Sequence, residues 1–125
     1  MKEIAFVSGH LDLTQYEFCC EYESKLWDAV TKEHAFVVGS ARGADRMALE
    51  FLVTRGRSLG PLEIVVYLFE KNPENYTEAL EMCQANNLSY KTGWASYSAR
   101  DKQMTLDSTH DIAWVRSIDA SKLLY

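Results

Sequence analysis

Residues Leu62 to Phe69 read Leu-Glu-Ile-Val-Val-Tyr-Leu-Phe, apolar throughout except for Glu63. A strand with one wet face alternates apolar and polar residues. A continuous β-branched and aromatic run instead needs cover on both faces, which is the condition of strands in a parallel sheet. Ile4-Ala5-Phe6-Val7, Ala35-Phe36-Val37-Val38 and Asp111-Ile112-Ala113-Trp114-Val115 are further strand-like runs. Amphipathic stretches separate them. Thr14 with Glu17 forms a capping box and predicts a helix over roughly residues 15–32, with Cys19, Tyr22, Leu26 and Val30 as its apolar stripe. A second helix is expected over about 44–56, on Met47, Ala48, Phe51 and Leu52, with Gly56 as its stop. Asn72-Pro73 predicts a third, ended by Asn86-Asn87. Residues 88–97 read as a loop. Ser98, with Asp101 three residues on, reads as the cap of a short helix. Strands alternating with helices predict one α/β domain over residues 1–125, with a mostly parallel sheet of four to five strands between helical layers.

Charge and cysteine usage narrow the function classes. The net charge of −5 excludes a general nucleic-acid binder, which needs a basic face. Met1-Lys2-Glu3-Ile4 leads straight into the first strand with no signal-peptide pattern, and no apolar run reaches membrane-spanning length. Cys19, Cys20 and Cys83 are odd in number and show no Cys-x-x-Cys, so they read as reduced packing cysteines of a cytoplasmic protein. His10 with Asp12 and His110 with Asp111 are His/Asp pairs, but no spacing enforces three or four converging ligands, so no metal and no cofactor is expected.

Two strands end in glycine turns. The first gives Ser8-Gly9-His10. The second gives Gly39-Ser40-Ala41-Arg42-Gly43-Ala44-Asp45, which opens the second helix. Glycine allows close backbone approach, and the first N–H groups of a helix lack partners in the chain, so strand, glycine turn and helix in this order favour an anion. Arg42 adds a guanidinium fork suited to phosphate or carboxylate. Ligands of parallel α/β sheets bind at the carboxyl ends of the strands, where these residues fall. Arg100, Met104 and Asp107 lie at i, i+4 and i+7 and share one helical face close to the same edge. Asp45 is either a ligand contact or a helix-end carboxylate. Asp101 and Asp107 are carboxylates of the kind that stabilise charge developing on a sugar, and Asp101 is equally the partner of Ser98. Trp94 and Tyr97 either stack on a base or fill the core.

Phe6-Val7-Ser8-Gly9, Val38 to Asp45, and Arg100-Asp101-Lys102-Gln103-Met104 before Asp111 to Val115 together resemble the SLOG superfamily of Rossmann-like nucleotide-binding proteins. That superfamily includes the LOG-type nucleoside-monophosphate phosphoribohydrolases and the DNA-processing A proteins. The Gly-x-Ala-Arg-Gly-Ala-Asp loop is most similar to a poorly characterised branch. The resemblance implies a Rossmann-like three-layer α/β/α fold and a small nucleotide-type ligand, AMP- or ADP-ribose-like. It implies ligand contacts from Ser8, Gly9, His10, Gly39, Ser40, Ala41, Arg42, Gly43, Ala44, Asp45, Arg100 and Met104. As an enzyme such a chain would cleave or transfer an N-glycosidic bond, as phosphoribohydrolases and nucleoside deoxyribosyltransferases do, with Arg100, Asp101, Asp45 and Asp107 as the catalytic candidates. LOG-type enzymes follow the last strand with Pro-Gly-Gly-x-Gly-Thr and a glutamate. This chain has Arg116-Ser117-Ile118-Asp119-Ala120-Ser121 there, which favours binding over chemistry. The apolar end Leu123-Leu124-Tyr125 leads to the expectation of a homodimer.

Overall fold

Five parallel strands form a single sheet in the order β4-β3-β2-β1-β5, in a computed structural model that describes residues 2–117. The strands are β1 (Ile4–Val7), β2 (Ala35–Gly39), β3 (Ile64–Tyr67), β4 (Ser89–Lys91) and β5 (His110–Ile112). The helices are α1 (Gln15–Glu21), α2 (Glu23–Thr31), α3 (Ala44–Thr54), α4 (Pro73–Ala85) and α5 (Tyr97–Asp107), with a 3₁₀ turn at Gly56–Leu59. The fold is therefore α/β and Rossmann-like, as the apolar runs predict. The apolar end that suggested a homodimer lies outside the described residues.

The strand order fixes which helix covers which face. From β1 to β4 the chain steps across the sheet in one direction, and right-handed crossovers then place α1 to α4 on one side. The return to β5, beyond β1, puts α5 on the other. The two cores follow this division. Ala5, Val7, Phe36, Val38, Ile64 and Val66 pack with residues of α1 to α4, including Phe18, Leu26, Leu52 and Cys83. Val37 and Tyr67, which alternate with them, pack with Met104 of α5. No described helix is long and apolar enough to cross a membrane.

Five local expectations change. The helix expected over 15–32 breaks at Tyr22, which ends α1 and begins α2 with φ −118° and ψ −41°. Tyr22 is fully buried and its hydroxyl donates to the Ser8 carbonyl at 2.7 Å, so a long-range bond pins the residue at the break. Cys19 turns outward and is exposed, while Phe18, Tyr22, Leu26 and Ala29 form the buried stripe. Within 88–97, Ser89–Lys91 pairs with β3 as an edge strand. All three of its residues are exposed, so it carries no apolar pattern to read. The cap of α5 is Ser96, whose side chain accepts from the Ala99 N–H at 3.1 Å, and not Ser98. Asp101 is thereby free of a capping role. The last strand is shorter than expected, ending at Ile112.

Candidate functional site

At the carboxyl ends of β1 and β2 a cavity of about 190 Å³ is walled by Ser8, Gly9 and Leu11 on one side and Gly39, Ala41 and Asp45 on the other. Phe6 and α5 close it, the latter through Arg100, Asp101 and Met104. Met104 is fully buried between this site and the Val37–Tyr67 core. Two ionisable side chains in the wall, Asp45 and Arg100, are 7% and 6% exposed. Burying such groups is costly unless they are partnered, which makes them the informative part of the site.

Each is held by neighbours. The Arg100 guanidinium donates through Nε and Nη2 to Asp101 Oδ1 at 3.1 and 3.0 Å, and its Nη1 reaches Ser40 Oγ at 3.5 Å. It also lies 5.0 Å from the Tyr97 ring centroid. Ser40 is buried and its Oγ accepts the Phe69 N–H at 3.2 Å, tying the β2 end to the β3 end. The Asp45 carboxylate accepts the Ala41 N–H at 3.3 Å. Burial pushes the Asp45 carboxyl up to about 7, against the opposing pull of Arg100 and of the Ala41 N–H.

The three glycines have separate reasons. A Cβ on Gly39 would lie 2.6 Å from Asp45 Oδ2 and 3.1 Å from Arg100 Cζ, so this glycine makes room for the charged pair. A Cβ on Gly9 would lie 2.0 Å from the Tyr22 hydroxyl. Gly43 has φ +75°, and a Cβ there would meet the His10 and Leu11 carbonyls at 2.3 and 2.4 Å. Gly43 thus serves the contact between the two glycine turns.

The turn's donors are partly used within the chain. The Ala44 N–H, first in α3, donates to the His10 carbonyl at 3.0 Å, and the Ala41 N–H goes to Asp45. Arg42 points to α4, where Nη2 pairs with Glu78 at 3.1 Å and Glu74 at 3.6 Å, and it does not line the cavity. Asp107 also stands apart. It accepts from the Tyr67 hydroxyl and from Gln103, faces Lys91, and its carboxyl is held below the usual range chiefly by Tyr67. His10 does not line the cavity: its carbonyl accepts the Ala44 N–H, and its ring accepts the Arg116 N–H at 2.8 Å. Ser8, Gly9, Gly39, Ala41, Asp45, Arg100, Asp101 and Met104 are therefore brought together. Trp94 stacks on Tyr67, and Tyr97 packs on Phe69 beside Arg100.

Sequence reasoning passed over Tyr22 and Arg116 as site-forming residues. Tyr22 reads as one more aromatic in a helical stripe, and Arg116 meets its partners Asp12 and Glu17 about a hundred positions back along the chain. A larger cleft of about 710 Å³ opens at the amino edge of the sheet, lined by Lys2, His34, Pro61 and Glu63 among others. It holds none of the residues above, and Lys2 and Glu63 in its wall already pair at 3.4 Å. Among the described residues no three His, Cys, Asp or Glu side chains converge as a metal site.

The fold and site define a Rossmann-like α/β protein with a buried carboxyl and a buried guanidinium in one cavity wall at the carboxyl edge of its sheet. Comparison with family models, with curated proteins and with solved structures found no match.

Proposed function

We propose that the chain is a SLOG-like domain whose carboxyl-edge cavity binds a nucleotide or nucleotide-derived ligand, AMP- or ADP-ribose-like. The observation that carries this reading is the pair Asp45 and Arg100, both buried, in the wall of one cavity at the ends of β1 and β2. A guanidinium held in place by Asp101 offers its remaining donors to a phosphate or a sugar hydroxyl. At about 190 Å³ the cavity takes one end of such a ligand, with the remainder over the open mouth, since whole small-molecule sites run to about 300 Å³ or more. Arg100, and not Arg42, is the cation placed for that end. In this reading the protein works as a homodimer; a monomer in sedimentation at high micromolar concentration rejects that assembly.

Ligand that binds only the folded state raises its stability by mass action, about 2.7 kcal/mol at a hundred times Kd. A thermal-shift panel of AMP, ADP, ADP-ribose and inorganic phosphate tests the reading. A rise in Tm with a nucleotide, lost in Arg100→Lys, supports it. A Tm unmoved by every nucleotide well above millimolar concentration overturns it.

A second reading, an N-glycosidic-bond enzyme, is favoured by the Asp45 carboxyl, pushed to about 7 and so suited to exchange a proton near neutrality. Asp45 and Asp101 line the cavity and Asp107 does not, so the carboxylates facing a sugar are the first two. Chromatography of free base released from nucleoside monophosphates tests it. Release that survives both Asp45→Asn and Asp101→Asn rejects the assignment.

A further inference from the structure

After β5 the chain crosses back over the first glycine turn. The Trp114 N–H donates to the Tyr22 hydroxyl at 3.2 Å, and the Arg116 N–H donates to His10 Nε2 at 2.8 Å. The His10 and Trp114 rings meet edge to face, 5.8 Å apart at 76°. The Arg116 guanidinium donates to both Glu17 oxygens, at 2.7 and 2.8 Å, and lies 3.5 Å from Asp12. Residues 113–117 are thus fastened by one main-chain bond to the turn whose Gly9 and Leu11 wall the cavity, by a second to Tyr22 at the α1–α2 break, and by the Arg116 side chain chiefly to Glu17 on α1. The same turn is held to α3 by the Ala44 N–H on the His10 carbonyl.

An imidazole Nε2 accepts a hydrogen bond only when neutral, with its proton on Nδ1. Protonation puts an N–H where the Arg116 N–H already points, so two donors face each other and the bond is lost. The charged and titratable groups around this contact are Arg116 on the crossing segment, Asp12 on the turn, Glu17 on α1 and the Tyr22 hydroxyl at the α1–α2 break. Arg116 holds the Glu17 carboxyl down to about 2, so the Glu17–Arg116 pair persists through mild acid and keeps the segment tethered.

We propose that residues 113–117 form a strap with an acid-sensitive latch: neutral His10 accepts the strap's main-chain N–H, and protonation of the imidazole breaks that fastening and slackens the turn that walls the cavity, while the Glu17–Arg116 pair keeps the strap in place. The strap goes beyond the nucleotide reading and needs no ligand to be tested.

The test is nuclear magnetic resonance on the full chain, ¹⁵N-labelled, between pH 8 and pH 5, with the His10 ring and the Arg116 amide followed together. The Arg116 amide resonance should move with the same midpoint as the His10 ring, and its exchange protection should fall on the order of ten-fold, the scale of one lost hydrogen bond. The Leu68 amide, bonded to the Lys91 carbonyl on the far side of the sheet, serves as the unmoved control. His10→Gln keeps an acceptor that does not titrate and should flatten the response. An Arg116 amide that ignores His10 titration overturns the strap, as does a response that survives in His10→Gln.

Discussion

Asp45 and Arg100 both close on one point at Gly39: the site of its missing Cβ lies 2.6 Å from Asp45 Oδ2 and 3.1 Å from Arg100 Cζ. The last residue of β2 is therefore a glycine so that a carboxyl and a guanidinium can come together over it. Gly39→Ala forces them apart or shifts the strand end. We expect a loss of about 1–3 kcal/mol in stability, the scale of overpacking, measured by urea denaturation. Nucleotide-induced stabilisation, if present in the parent, should vanish with it.

The Asp45 carboxyl has a signed consequence for stability. Its folded value, about 7, lies above the roughly 3.9 of an unfolded aspartate. Between those limits the folded state binds the extra proton, so stability falls as pH rises from about 4 to about 7. Asp45→Asn removes the titration while keeping an oxygen for the Ala41 N–H. The variant should approach the parent below about pH 4 and exceed it, by a few kcal/mol at most, at pH 8. Taking the difference between the two proteins cancels the opposite contributions of Glu17 and Glu78, whose carboxyls are lowered by arginines. Parallel stability curves across this range would falsify the assignment.

The elements that bury a continuous apolar surface were legible in the chain. Phe36 to Val38, Ile64 to Tyr67 and the Asn72-Pro73 start of α4 all stand where the local pattern puts them. The edge strand Ser89–Lys91 was not, because main-chain pairing to β3 forms it and no side-chain pattern announces it. The break at Tyr22 was hidden for a related reason. The helical bonds continue through it, from Tyr22 N to Phe18 O and from Leu26 N to Tyr22 O, and only the distant Ser8 carbonyl marks the residue. In the site, residue types were readable and partners were not. Arg42 and Asp45 are three positions apart in one turn. One goes to Glu78 on α4 and the other to the cavity, a choice set by topology.

Gly43 separates two explanations of a glycine turn. Its φ of +75° and the His10 and Leu11 carbonyls at 2.3 and 2.4 Å from a Cβ both exclude a side chain. Gly43→Ala should cost about 1–3 kcal/mol through strain, and Gly43→Val more. Both should act by loosening the first turn from α3, so denaturation and exchange of the Ala44 amide should respond together. A stable Gly43→Val protein with only ligand binding impaired would contradict this.

Arg42 and Arg100 differ in what surrounds them, and their variants should differ accordingly. Arg42 is about half exposed and pairs with Glu78 and Glu74, which are themselves open to water. Such pairs contribute about 0–1 kcal/mol, so Arg42→Ala should be nearly silent for stability. Arg100 is 6% exposed and accompanies Asp101 and the buried Asp45. Arg100→Ala removes the cation beside the buried Asp45 and the bonds to Asp101 and Ser40, and should cost more than Arg42→Ala, about 1–3 kcal/mol. It should also push the Asp45 carboxyl higher still, because Arg100 is the main influence holding it down. Arg100→Lys should restore charge without the paired Nε and Nη2 donors to Asp101, recovering part of the stability. Urea denaturation of the three variants at pH 7, with the Asp45 titration followed by ¹³C resonance, checks the order. If Arg42→Ala proves as damaging as Arg100→Ala, the cavity is not where this protein concentrates its buried charge.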